Sequence, residues 1–183
     1  MKQYFWPSIK LTVVLIIICA GLYPLFIAGI ARFAPGGGGG EKLLVNGKVV
    51  GYANIGQKFT EDRYFWGRPS AVDYNAAGSG GSNKGPSNPD YIKLVQDRVD
   101  SFLVHNPAVK REQVPAEMVT ASGSGLDPDV SPESAFIQVE RVAGARHIAA
   151  DELHRLINLQ TEKPLMGPAH VNVLKLNIAL DNL

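Results

Sequence analysis

Ser122, Gly123, Ser124, Gly125, Leu126 and Asp127 come nearest, by residue type, to a ligand cradle in this chain. The segment is expected to lead into a helix at Ser131, and the free N–H groups of a helix N-terminus can hold a phosphate or a carboxylate. The same glycines also suit a tight connection that needs positive φ, so the residues alone leave both readings open. The nucleotide motifs themselves are missing. The one Gly-Lys pair, Gly47-Lys48, is followed by Val49 rather than Ser or Thr, and neither Gly78-x-Gly80 nor Gly123-x-Gly125 extends to G-x-G-x-x-G. His147, Asp151 and His154 fall at i, i+4 and i+7, one face of a continuous helix, where imidazole and carboxylate could bind zinc. A solvated polar face has the same spacing. His105 and His170 are isolated, and Ser122-Gly123-Ser124-Gly125 lacks the leading glycine of a nucleophile elbow. No catalytic constellation stands out.

The elements that must position these residues are marked by their punctuation. Val45-Asn46-Gly47-Lys48-Val49 predicts a hairpin, because Asn-Gly readily takes the two positive φ angles of a type I′ turn. Further short strands are expected at residues 54–59, 64–66 and around Met118-Val119. Residues 73–89 are mostly Gly, Ser, Asn and Pro, a loop of a length that compact domains keep for function or leave disordered. Asn88 then caps a helix with Pro89 first, Ile92, Val95, Val99, Phe102 and Leu103 as its buried face and Asn106-Pro107 as its stop. Ser131 caps a second helix, with Pro132 first and Glu133 near the positive end of its dipole; Phe136, Val139, Val142 and Ala143 face inward. A further helical stretch covers residues 151–159. Residues 171–176 read as a late strand, although Leu174, Ile178 and Leu180 fit a helix as well.

Ahead of all this, residues 11–31 carry no charge. As a helix the run is about 30 Å long, the thickness of a bilayer's hydrocarbon core. It is longer than a signal peptide's apolar core, and Ala28-Gly29-Ile30-Ala31 leads into Arg32, a poor cleavage context, so a retained anchor is expected. Within it Ala20, Pro24 and Ala28 recur every fourth residue with Gly21 and Ala31 beside them, small side chains on one stripe that let another helix approach closely; Ala20, Gly21, Tyr23, Pro24 and Ala28 are the expected partner-packing residues. Pro24 has no N–H for the carbonyl of Ala20, which in lipid needs another partner. The flanking charges (Lys2 and Lys10 before; Arg32, Lys42 and Lys48 after) are too balanced to orient the span. The expected organisation is a short tail at 1–10, a transmembrane helix at 11–31, a Gly-rich linker at 32–41 and one α/β (α+β) domain at 42–183. Past the span, 16 basic residues face 17 acidic ones, a net charge of −1, so no basic field exists to hold nucleic acid. The single cysteine, Cys19, lies in the span, which excludes a disulfide framework and a thiolate metal site.

Several blocks in one order resemble the KdpC family, the C subunits of bacterial high-affinity potassium-transporting P-type ATPases. They are Tyr23-Pro24-Leu25, Ile55-Gly56-Gln57-x-Phe59, Tyr64-Phe65-Trp66-Gly67-Arg68-Pro69-Ser70-Ala71 and Gly80-Gly81-Ser82-Asn83. Ser87-Asn88-Pro89, residues 119–127, Gln138-x-x-Arg141-Val142-Ala143 and Val171-Asn172-Val173-Leu174-x-Leu176-Asn177 continue the likeness over nearly the whole length. The resemblance implies an accessory subunit without catalytic residues of its own, in the bacterial plasma (inner) membrane. Its N-terminus would be cytoplasmic and its soluble domain extracytoplasmic. Its implied partners are a potassium-channel-like subunit, a P-type ATPase subunit and membrane lipid. Its implied role is assembly and stability of the complex, and that of a catalytic chaperone raising the pump subunit's ATP affinity. No cofactor is required by the chain itself. ATP enters through the complex, or directly where ATP binding is ascribed to the C subunit; such a site would fall on Ser122, Gly123, Ser124, Gly125, Asp127 and Gln138. A helix cap that similar sequences carry near Ala149 is absent here; if two helices still meet there, His147 and His154 do not share a face. Outside the family, the reading would be an anchored extracytoplasmic enzyme or ligand-binding domain using the loop at 73–89.

Overall fold

The computed structural model describes residues 2–183 and divides into two units, one ending at Lys42 and one running from Leu43 to Leu183. In the first, the chain is helical through α1 (Lys2–Ile16), a wider π-type segment (Ile17–Leu22) and α2 (Tyr23–Ala31). Residues 2–10, in the stretch expected as a short tail, are thus part of the helix. From Gln3 to Ala31 it is long and apolar enough to cross a membrane, and none of that stretch is buried. The π segment is the local answer to Pro24. With no proline N–H available, the ladder slips by one residue and the N–H of Tyr23 reaches back to the carbonyl of Ile18. Pro35–Gly38 then forms a tight turn.

The second unit opens with the expected hairpin. Its strands are β1 (Lys42–Val45) and β2 (Lys48–Tyr52), with φ of 52° at Asn46 and 77° at Gly47. A long irregular stretch follows up to α3 (Pro89–His105), which Asn88 caps by accepting from the N–H of Tyr91. Next come β3 (Asp129–Val130), α4 (Pro132–Phe136), α5 (Val139–Arg146), α6 (Ala150–Gln160), β4 (Thr161–Glu162), β5 (His170–Asn172) and α7 (Val173–Leu180). The sheet is antiparallel in the order β3-β5-β4, with Val130 opposite Val171 and Thr161 opposite Val171 on the other side. One core of Phe65, Val139, Val142, Leu153, Ile157, Leu176 and Leu180 joins α5, α6 and α7 to that sheet. The late segment is strand and helix in turn. Asn172 ends β5, and its side chain caps α7 by accepting from the N–H of Lys175.

Three expected strands are absent. Residues 54–59 form turns and irregular chain, and Ala116–Met118 is a 3-10 turn. Residues 64–66 are also irregular, because their ladder partners are side chains. The Asn177 amide accepts from Phe65 N at 2.9 Å and donates to Phe65 O at 2.9 Å, and Gln138 does the same for Trp66 at 2.8 and 3.2 Å. Each primary amide stands in for one peptide group of a neighbouring strand. The face expected of α3 is only partly covered: Phe102 is buried against the edge of Trp66, whereas Ile92 is exposed.

Candidate functional site

The glycine-rich loop does not run into a helix N-terminus. β3 lies between, and two of the amides at the start of α4 are met by side chains. Ser131 caps Ser134 N, while the Glu117 carboxylate accepts from Ser131 N at 2.9 Å and from the Ser134 hydroxyl. Burial alone would raise the carboxyl's pKa, but the hydrogen bonds from Ser131 and Ser134 hold it below the usual range.

The loop's own groups point inward and sideways. Ser122 Oγ accepts from Gly125 N, Ser124 Oγ from Leu126 N, and Asp127 Oδ1 from Asp129 N. The Ser124 carbonyl takes Gly80 N at 2.8 Å and Ser79 Oγ at 2.9 Å, the Gly125 carbonyl takes Ser70 Oγ at 2.7 Å, and the Leu126 carbonyl takes Gly56 N at 2.8 Å. Arg68 pairs with Asp127 at 3.0 Å. Glycine is required where three backbones meet. A Cβ on Gly125, whose φ is +68°, would lie 2.8 Å from Gly80 O and 2.6 Å from Val72 Cγ2. A Cβ on Gly123 would meet nothing within 4 Å. The loop at 73–89 is thus partly pinned, its Ser79 and Gly80 bonded to the second glycine-rich loop.

Tyr74 locks the same junction. It and Asp73 are consecutive left-handed residues with φ of 58° and 52°, held because Ser70 Oγ accepts from Tyr74 N at 2.9 Å and the phenol donates to Arg68 O at 2.5 Å. Burial pushes the phenol's pKa from 10.0 to about 12, with the Asp127 carboxylate adding to the push and the Arg68 guanidinium opposing it. A folded-state pKa above the unfolded one means stability that is complete below pH 10 and lost as pH rises towards 12. The melting temperature should therefore fall across that window, and Tyr74→Phe should melt lower at pH 8 yet show a shallower alkaline fall. An unchanged slope in thermal scans of the variant would contradict this role.

Gln138 is not at the loop surface. It has no exposed area, and beside its two bonds to Trp66 it donates to Ser134 O at 2.8 Å and accepts from Arg141 Nη2 at 2.6 Å. Arg141 carries the rest of the network: Nε to Asn106 Oδ1 at 3.0 Å, Nη1 to the carbonyls of Asp62 at 2.6 Å and Tyr64 at 2.9 Å, and its guanidinium 4.1 Å from the Trp66 ring centre. Burial lowers its pKa to about 10, the Asp62 carboxylate opposing. The six residues of the nucleotide reading thus divide between a loop junction and a sealed core amide.

A search of protein families matches residues 5–182 to KdpC: K+-transporting ATPase, c chain. The chain belongs to the KdpC family. Among curated relatives, the potassium-transporting ATPase KdpC subunit of Flavobacterium psychrophilum is 58% identical over 184 residues, covering 100% of both chains. That of Flavobacterium johnsoniae is 57% identical over 183 residues with the same coverage, and that of Caldanaerobacter subterraneus subsp. tengcongensis is 44% identical over 98% of this chain and 95% of the relative. A KdpC chain is an accessory subunit of a potassium-transporting P-type ATPase, associated with the membrane, and among the described residues this one carries one candidate spanning helix, near its N-terminus.

In this KdpC chain the stripe residues Ala20 and Gly21 lie in the π segment, Tyr23 and Pro24 begin α2, and Ala28 follows one turn later, none of them buried. The histidines do not converge. α5 ends at Arg146, His147 turns left-handed at φ 59°, and α6 restarts from Ala149 without a side-chain cap, so the continuous face is broken. His154 stacks on Phe136 at 5.2 Å, and among the described residues no group of three or more His, Cys, Asp or Glu is placed to hold a metal. Arg141 and Asn177 stand in the blocks shared with the family, but their types and spacing alone assign them no role. The signal was present in Asn177, an amide inside the apolar run Leu174, Leu176 and Leu180, since a buried amide must find hydrogen bonds.

Proposed function

We propose that this subunit acts by packing. Its helix sits in the bacterial inner membrane with the N-terminus cytoplasmic, and Ala20, Gly21, Tyr23, Pro24 and Ala28 lie against the potassium-channel-like subunit. The extracytoplasmic domain then stabilises the assembly with that subunit and with the P-type ATPase subunit. Raising the pump subunit's ATP affinity, as a catalytic chaperone, would follow from that assembly rather than from nucleotide held by this chain. A domain outside the membrane does not meet cytosolic ATP, and the buried, saturated Gln138 offers a nucleotide no free group.

The observation that carries this reading is the break at Pro24. The helix widens within a lipid-length apolar span at a segment that contains Ala20 and Gly21, where small side chains let a neighbouring helix's backbone approach closely. Ala20→Leu with Ala28→Leu should cut recovery of the larger subunits with the tagged chain by roughly ten-fold, about the 1.4 kcal/mol of a good interhelical contact. Co-purification from detergent-solubilised membranes and potassium-limited growth check it; unchanged recovery and uptake would sink the packing reading.

A further inference from the structure

α3 is fixed to the domain by its C-terminal half. Arg98 donates to Val119 O at 3.1 Å, Phe102 is buried, His105 Nδ1 lies 2.8 Å from Asp62 Oδ1, and Asn106 accepts from Arg141 Nε. Among the described residues of α3, Phe102 alone belongs to the core cluster. Upstream the chain is fixed again at Ser79 and Gly80, both bonded to Ser124 O, and Gly81 lies close against Gly123. Between these two fixed ends, no residue from 82 to 97 is buried. Among the described residues, no hydrogen bond or ion pair joins that stretch to the domain outside its own turn and helix. Its apolar Ile92 and Leu94 are exposed.

What keeps this stretch helical is local. Asn88 accepts from Tyr91 N at 3.0 Å, Pro89 holds the first position, and Asp90 sits at the positive end of the dipole. The unpacked part, residues 89–97, is about two and a half turns, and isolated helices shorter than about 12–15 residues are marginal in water. Tyr91, Ile92 and Val95 are not strong helix formers, so propensity adds little. Segments without tertiary contacts open at free energies far below that of global unfolding. We propose that residues 82–97 form a strap that melts and re-forms on its own, between fixed ends, while the rest of the domain stays folded. The soluble domain thus carries an element whose shape changes without disturbing the core, the Arg141 network or the junction of the glycine-rich loops.

Hydrogen exchange of the full chain in detergent, read by mass spectrometry, tests this. The amides of residues 93–97 should be protected roughly a hundred-fold less than those within α6 and α7. Asn88→Ala should speed exchange of the same amides about five-fold, the effect of losing one cap, while the melting temperature stays within about 2 °C. Asn88→Ser keeps a capping oxygen and should exchange like the unmodified chain. Exchange of residues 93–97 in step with α6 and α7 overturns the proposal. An Asn88→Ala variant that melts lower than that margin, or fails to fold, overturns it as well, because the strap would then belong to the cooperative core. So does an Asn88→Ala variant that exchanges no faster, because the cap would then not be what holds the helix.

Discussion

Arg141→Ala should be the most damaging single substitution in the soluble domain, costing about 3–5 kcal/mol. The side chain is 2% exposed and makes four hydrogen bonds, to Asn106 Oδ1, the Asp62 and Tyr64 carbonyls and Gln138 Oε1. Truncation strands these acceptors in the core and empties the space beneath the Trp66 ring. It also frees Gln138, whose amide holds the Trp66 backbone, so the loss spreads into the irregular segment at 64–66. Against a total stability of about 5–15 kcal/mol this approaches unfolding, and the melting temperature should drop by about 10–20 °C. Arg141→Lys keeps the charge but loses the planar fork, so it should recover less than half of the deficit. Arg141→Met keeps volume and leaves the acceptors unmet, and it should resemble alanine more than lysine. Denaturant titrations of the three variants decide it: a loss under 1 kcal/mol for alanine would show that the network carries little stability.

What could be read from the sequence was what is local. The Asn88 and Ser131 caps and the Asn46-Gly47 turn act within three or four residues, and each sits where its side-chain chemistry places it. The partners of Phe65 and Trp66 lie 112 and 72 residues away, and they are amide side chains, for which no period-two pattern exists. A strand is expected at 64–66; the segment is irregular instead, and Asn177 and Gln138 take the place of a neighbouring strand. The split of residues 171–176 into strand and helix turned on Asn172. It bonds Ala53 O at 2.7 Å while capping α7, a double role that only the tertiary fold assigns. The glycine-rich loop is ambiguous in sequence for a related reason. A glycine-rich loop before a helix looks the same in sequence whether its glycines admit a phosphate or another loop, and the distinction lies in residues 70–80, some 45 positions upstream.

That distinction gives the second large effect. Gly125→Ala should cost about 2–5 kcal/mol, from a left-handed φ forced on an L-residue together with a Cβ driven into the backbone of Gly80. Neither term can relax without parting the loops, because Gly80 N, Ser79 Oγ and Ser70 Oγ all bond to the segment that would have to move. Gly123→Ala, two residues earlier, has open space around its Cβ and should change stability by less than about 0.5 kcal/mol. A phosphate cradle makes the opposite demand, since a backbone that closely approaches a ligand needs glycine at the open position as much as at the packed one. Thermal unfolding of the purified chain with and without millimolar Mg-ATP separates the two. Loop locking gives a large Gly125→Ala loss, a silent Gly123→Ala and no nucleotide-dependent rise in melting temperature. A rise of several degrees that Gly123→Ala abolishes would restore the nucleotide site, because a ligand stabilises only the state it binds, and by an amount set by its concentration over its dissociation constant.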